Sequence, residues 1–235
     1  MVEQLTLGII IAAALADSIN PCVFGVLIFL LAYMTKVFKN KIRMLAAGLI
    51  YIAAVYITYF LIGIGIFTLA YTAGLSKNFY WFAAILAILA GLLEIKDFFW
   101  YGQGFSLQII PGGAEKIKKY SDAMAKMETN HPVLSLLIAA LLGIIVVFFE
   151  LPCTGAPYLA ILGMLSTGNY AGGVPLLLLY NLIFILPLFV IIGLVYAGST
   201  SKNLEKWRKE NRGLMRLAIG LFLISLGSYM IWSVI

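Results

Sequence analysis

Histidine occurs once in the chain, as His131, and cysteine twice, as Cys22 and Cys153. A single histidine, set beside Pro132 in a polar connector, excludes a multi-histidine metal site. Two cysteines permit one disulfide within the chain and no relay of several. Charge is scarce as well: 11% of residues are charged against 63% that are hydrophobic, and the mean hydropathy is +1.04. Ordinary soluble domains keep apolar usage near half, so lipid is the expected solvent. No polar stretch is long enough to fold a second domain. The amino terminus lacks the basic run of a cleavable leader, and the apolar run after Glu3 is too long for one, so this segment is expected to be retained.

What is present is a set of six apolar runs, near 5–34, 44–70, 79–98, 133–164, 174–197 and 214–234. Crossing a hydrocarbon core of roughly 30 Å takes about 20 apolar residues in a helix, so each run is long enough to span. Helices are the expected form, because backbone groups facing lipid must pair within their own segment and no run alternates as a barrel strand does. The first and fourth runs are longer than a span needs. Each is interrupted near its middle, by Asn20-Pro21-Cys22 and by Leu151-Pro152-Cys153-Thr154-Gly155-Ala156-Pro157.

The 16 Lys and Arg outnumber the 10 Asp and Glu, a formal charge of +6. On a membrane protein this excess reports orientation first, and no nucleic-acid partner is expected. Lys36, Lys39, Lys41 and Arg43 follow the first helix; Lys96, Lys116, Lys118, Lys119 and Lys126 follow the third; Lys202, Lys206, Arg208, Lys209, Arg212 and Arg216 surround the fifth loop. Only Lys77 is left for the opposite face. Loops one, three and five are therefore expected in the cytoplasm and both termini outside, in a multi-pass protein of the cell membrane. Within the third loop, Ile117, Tyr120, Met124 and Met127 recur at helical spacing opposite lysines, which predicts an interfacial helix over 114–129 lying on membrane lipid. Trp207 reads as an interface anchor, and Asn169 and Asn181 as polar contacts between helices.

An offset of 131 positions carries Pro21-Cys22 onto Pro152-Cys153, the second run onto the fifth and the third onto the sixth. A unit of three helices is odd, so its second copy inserts upside down. The expected fold is an all-α integral membrane protein of six transmembrane helices, built as two inverted-topology three-helix repeats with helices 1 and 4 broken at the Pro-Cys motifs. One membrane domain over 1–235 then comprises a first repeat over about 1–100, a cytoplasmic loop over about 99–132 and a second repeat over about 133–235.

Proline lacks an N–H and clashes with the preceding turn, so mid-span it ends one half-helix and opens the next. Cys22 and Cys153 would then sit in first turns, where unpaired donors and the positive end of the helix dipole favour thiolate. Asn20 is a fitting N-cap for the half-helix carrying Cys22, whereas Leu151 cannot cap the other. Simple packing as small hydrophobes is the plain alternative for two buried cysteines. Against it stand the matched positions, the preceding prolines and the nearby breaks.

The sequences Asp17-Ser18-Ile19-Asn20-Pro21-Cys22 and Glu150-Leu151-Pro152-Cys153-Thr154-Gly155-Ala156-Pro157-Tyr158, with Ile95-Lys96-Asp97-Phe98-Phe99-Trp100 closing the third helix, resemble the CcdA family of cytochrome c biogenesis proteins. The chain is also similar to the membrane domain of DsbD. The resemblance implies a membrane thiol-disulfide oxidoreductase acting as an electron transporter. It would take reducing equivalents from cytoplasmic thioredoxin and hand them to an extracytoplasmic thioredoxin-like protein, with cytochrome c maturation the common outlet. In those terms Cys22 and Cys153 are the redox pair and Pro21, Pro152 and Pro157 its helix breakers. Many members carry further prolines after the first cysteine; Val23-Phe24-Gly25-Val26 has none, which leaves Gly25 as the only obvious hinge there, and Gly155 stands among the supporting residues of the second motif.

Thiol-disulfide exchange moves two electrons through a mixed disulfide, so no flavin, haem, quinone or metal is needed as cofactor. It needs access from each side in turn, which a broken helix in each repeat supplies. Asp17 and Glu150 precede their cysteines by a turn or two. Two readings of them stay open: they manage protons as thiols form, or they face water and cap donors freed by the breaks. The competing function is a small-solute or cation transporter, since inverted repeats with broken helices are transporter architecture. A quinone-linked oxidase would need further paired cysteines, and a purely structural subunit would leave the motifs unexplained.

Overall fold

The structure is a computed structural model and describes residues 2–20, 23, 40–100, 132–168, 170–197 and 201–234. The described residues fold as six helices: α1 (Val2–Ser18), α2 (Lys41–Thr72), α3 (Ser76–Phe99), α4 (Pro132–Ser166), α5 (Tyr170–Tyr196) and α6 (Ser201–Trp232). The protein is an all-helical, multi-pass membrane protein. Among the described residues three stretches are long and apolar enough to cross a bilayer, Lys41–Thr72, Ala171–Leu194 and Lys209–Trp232. A fourth candidate is the bent pair Leu136–Leu151 and Thr154–Ser166, whose halves meet at 83°. The predicted interfacial helix over 114–129, together with His131 and Asn169, lies outside the described residues.

Local chemistry sets the helix limits. Asn40 is extended (φ −100°, ψ 120°), and its side-chain oxygen accepts the Ile42 N–H at 2.9 Å, which starts α2. Gly74, at φ 66°, ends it: the Leu75 N–H reaches the Ala70 carbonyl at 3.1 Å and the Gly74 N–H reaches that of Tyr71 at 3.3 Å. This is a Schellman closure, and the left-handed residue it requires is the glycine. Hydroxyls on the helices turn inward on their own backbone, Thr58 on Ala54 and Ser225 on Leu221, so that they stay satisfied where water is absent.

Where lipid is the solvent, helices gain little by hiding apolar surface from it, and close packing of small residues holds them instead. α3 and α6 run antiparallel and touch through glycine. A Cβ built at Gly91 would stand 2.7 Å from the Gly220 carbonyl oxygen, and one at Gly227 2.8 Å from that of Ala84. Ala83, Ala84 and Ala87, all buried, complete the seam with Leu223 and Met230. α2 and α5 are also antiparallel, with Gly48 against Ile192 and Gly173 against Phe67. α2 and α4 run the same way, Gly143 lying on the Tyr51 backbone. The larger core, from Ile10 of α1 to Ile192 of α5, has Tyr51, Tyr59, Phe67, Tyr158, Tyr180 and Phe184 fully enclosed within it.

The helical span read as 214–234 is part of a longer helix, since α6 begins at Ser201 and carries all six residues of the basic cluster assigned to the fifth loop. Its first turns are held by their own charges, with Lys206 and Glu210 paired at 3.9 Å one turn apart. Arg216, counted among the loop cations, is instead buried against α3.

Candidate functional site

α1 stops just short of the first motif. The Ser18 hydroxyl turns back on the Leu15 carbonyl at 2.7 Å, and the Asn20 N–H bonds the Asp17 carbonyl at 3.1 Å. A residue ahead of proline is pushed out of helical geometry, so the helix ends where the sequence places Pro21. Asn20, the expected N-cap, is non-helical and buried. Pro21, Cys22 and Gly25, with the half-helix that Asn20 was expected to cap, lie outside the described residues; Val23 is buried in the larger core.

In α4 the interval between the two segments that meet at 83° is Pro152-Cys153, whose side chains lie outside the described residues. Thr154, Gly155, Ala156 and Pro157 form the first turn after it and are all buried. There the missing N–H of Pro157 costs nothing, because the first-turn donors of a helix have no partner within it. The nearest atom to a Cβ at Gly155 would be Leu151 Cδ2 at 3.9 Å, so packing alone does not require a glycine at that position. Glu150 is buried, and its backbone carbonyl accepts from the Thr154 hydroxyl at 3.1 Å.

Between the two motifs runs a buried chain of phenols. The Thr154 hydroxyl, one residue beyond Cys153, is 2.7 Å from that of Tyr59 on α2. The Tyr158 hydroxyl donates to the Tyr59 backbone carbonyl at 2.8 Å and accepts from the Asn181 amide at 3.4 Å. That carbonyl points toward the residue one turn on, which is Gly63, and a Cβ there would overlap the Tyr158 hydroxyl. The rings of Tyr158 and Tyr180 lie 5.4 Å apart, and the Tyr180 hydroxyl donates to Asp17 Oδ2 at 2.9 Å. Tyr180 and Asn181 sit near the middle of the Ala171–Leu194 span, and Tyr59 near the middle of Lys41–Thr72. A line of phenols near the middle of these spans, hydrogen-bonded at each end and joined by ring contact between Tyr158 and Tyr180, therefore runs from the end of α1 to the residue after Cys153. Among the described residues, Asp17 Oδ1 and Asn181 Oδ1 are buried and accept no hydrogen bond.

A second polar cluster ties α3 to α6. Arg216 Nη1 lies 2.6 Å from Asp97 Oδ2 and 3.3 Å from Glu94 Oε2, and Lys96 Nζ lies 2.8 Å from Asp97 Oδ1. At the other end of the same pair the Tyr80 hydroxyl donates to the Met230 carbonyl at 2.8 Å. Two cations against two carboxylates leave the cluster neutral, the condition under which charges persist in a bundle interior. Among the described residues no three His, Cys, Asp or Glu side chains are grouped to hold a metal.

Of the residues singled out in the sequence, the structure brings Asp17 and Asn181 into the phenol chain, though not into contact with each other. It leaves Glu150 beside it, where the Thr154 hydroxyl meets the Glu150 carbonyl. Tyr59, Tyr158, Tyr180 and the Arg216 cluster went unread. Tyrosine inside an apolar run looks like core, and the usable signals were the Tyr180-Asn181 pair at the centre of the fifth run and an arginine inside the sixth.

No curated protein and no solved structure matches the chain. A family described as the cytochrome c biogenesis protein transmembrane region matches residues 9–233, a stretch that contains both Pro-Cys motifs, and the chain belongs to that family.

Proposed function

We propose that the protein carries reducing equivalents across the cell membrane by thiol-disulfide exchange at a Cys22/Cys153 pair. Electrons enter from cytoplasmic thioredoxin and leave to an extracytoplasmic thioredoxin-like acceptor, for cytochrome c maturation. The observation that carries this reading is the family match over 9–233, which embraces two Pro-Cys motifs at matched places in the chain. A partner's thiolate attacks the disulfide, a mixed disulfide forms, and the partner's second thiol resolves it, so that the partner leaves oxidised and the pair stays reduced.

An inverted repeat with six spans would give that pair its two-sided access, and the packing supports it. The corresponding helices α2 and α5 are antiparallel, as are α3 and α6, which is what upside-down insertion of the second unit demands. α1 packs on α5 as α4 packs on α2, the same relation with the halves exchanged. The 83° bend of α4 falls at Pro152-Cys153, and α1 ends two residues before Pro21-Cys22 would begin the matching break. Both termini face outward on this reading, and the basic asymmetry behind that orientation survives the removal of Arg216 into the bundle.

The test is a count of thiols. Air-oxidised protein, denatured and alkylated, is expected to show no free thiol, and the same protein reduced by a dithiol thioredoxin to show two per chain. Two free thiols after oxidation would reject the redox pair. A transporter with this fold would keep its activity when Cys22 and Cys153 are both replaced by serine; an electron carrier would lose it.

A further inference from the structure

A disulfide held at mid-membrane depth releases charge when it is reduced. As the S–S bond breaks, one sulfur joins the incoming partner and the other leaves with the bonding pair as a thiolate, in a medium where an isolated anion is costly. A proton source beside the pair removes that cost. Among the buried carboxylates described, Glu94 and Asp97 are occupied by Arg216, and Glu150, three positions before Cys153, lies beside Tyr51 and Tyr59 at the other end of the phenol chain. Asp17 is different: it is 1% exposed, Oδ2 is held by Tyr180, the Asn20 side chain is a second hydrogen-bonding neighbour of the carboxyl, and no cation is paired with it among the described residues. It stands five positions before Cys22, which is flanked in sequence by the buried Asn20 and Val23. The offset that pairs the two motifs sets Phe148 opposite Asp17 and leaves Glu150 two positions out of register with it.

We infer that Asp17 is the proton donor and acceptor for the cysteine pair, with Tyr180 as its positioning residue. The inference rests on the thiol-exchange reading above. The partner's thiolate attacks the disulfide, one cysteine sulfur leaves as thiolate, and Asp17 Oδ1–H protonates it. The resulting carboxylate, held by the Tyr180 hydroxyl, then takes the proton of the partner's second thiol. That sulfur attacks the mixed disulfide and releases the second cysteine sulfur. The partner leaves as a disulfide, having given two electrons; the pair is left as one thiol and one thiolate, and Asp17 is protonated again. No outside proton is consumed, and the remaining thiolate is ready to attack the next acceptor. The other titratable groups around Asp17 are phenols, Tyr180 of α5, Tyr158 of α4 and Tyr59 of α2, and the Glu150 carboxylate of α4 also acts on Tyr59. Phenols are neutral hydrogen-bonding groups around pH 7, which leaves Asp17 as the group suited to exchange a proton there.

The experiment uses the full chain in lipid nanodiscs and dithiothreitol as the probe, with the reduction rate followed between pH 5 and 9. Asp17→Asn is expected still to form the Cys22–Cys153 disulfide, to be reduced on the order of 10²-fold more slowly at neutral pH, and to lose an inflection from the rate profile. Asp17→Glu should restore most of the rate. Tyr180→Phe keeps the carboxyl and removes only its hydrogen bond, so it should move the inflection while holding the maximal rate within about tenfold. Parental rate and profile in Asp17→Asn, in protein that forms the disulfide, would overturn the inference and leave thiol exchange intact. If Asp17→Asn does not insert, an unmoved inflection in Tyr180→Phe overturns it equally. A parental chain that forms no disulfide rejects the exchange reading itself.

Discussion

The Tyr158 hydroxyl reaches the backbone carbonyl of Tyr59, 2.8 Å away, through the space where a side chain at residue 63 would lie. This bond joins the segment after the Pro152-Cys153 bend to the middle of α2, and it accounts for glycine at 63.

Gly63→Ala should therefore push Tyr158 off that carbonyl. The expected loss is about 1–3 kcal/mol from overpacking, against about 1 kcal/mol for Tyr158→Phe, which removes the hydroxyl and keeps the ring. Thermal unfolding in detergent micelles ranks the two; a Tyr158→Phe protein less stable than Gly63→Ala would contradict the steric account.

Replacing Arg216 by methionine leaves Glu94 and Asp97 buried together, with Lys96 still paired to Asp97. Removing one partner of a buried ionic cluster costs about 3–5 kcal/mol. The triple change Arg216→Met, Glu94→Gln, Asp97→Asn is expected to recover much of it, because no buried carboxylate stays charged and Lys96, 29% exposed, keeps its reach to solvent. Chemical unfolding of the parent, single and triple proteins is the measurement, and equal loss in the single and triple proteins would rule out charge as the cause.

Pro152→Ala should insert and fold, since alanine restores a hydrogen bond and relieves a clash. If the proline sustains the bend, the altered protein reacts more slowly with thioredoxin, as thiolate character and access both decline. Stopped-flow exchange rates compare it with the parent; parental rates in both Pro152→Ala and Pro21→Ala would make the breaks packing features only.

Cys22→Ser and Cys153→Ser should each trap a mixed disulfide with the partner that the surviving thiol meets. Mass spectrometry of the two adducts assigns the roles, and finding neither adduct under mild oxidation would count against exchange at these residues.

The apolar runs made helices legible in the sequence because lipid leaves the backbone no other way to pair. Asp17 and Asn181 were legible for the same reason, polarity being rare there. The phenol chain was not, because a tyrosine becomes a hydrogen-bond donor only when an acceptor lies across from it, and Tyr158 finds its acceptor 99 positions away. Arg216 was read by its charge and its nearness to other cations, a pattern that counts residues per loop and is blind to a salt bridge 119 positions distant. The start of α6 was misplaced because hydropathy marks where lipid begins, while a helix can continue into water on its own hydrogen bonds and charge pairs.

Glycine at 91, 220 and 227 brings two main chains into touch, with Ile224, Ile95 and Ile88 each seated over the facing glycine. Such a seam has no tolerance for slip, since advancing either helix by a residue would drive an isoleucine into backbone. Pinned also by Arg216 at one end and Tyr80 at the other, α3 and α6 form an axle that does not slide. On the thiol-exchange reading, which asks the bundle to open to one face and then the other, α3 and α6 would stay fixed against each other, with α4 seated on α3 where Gly163 meets Ala83, and the motion would fall to the helices around that axle.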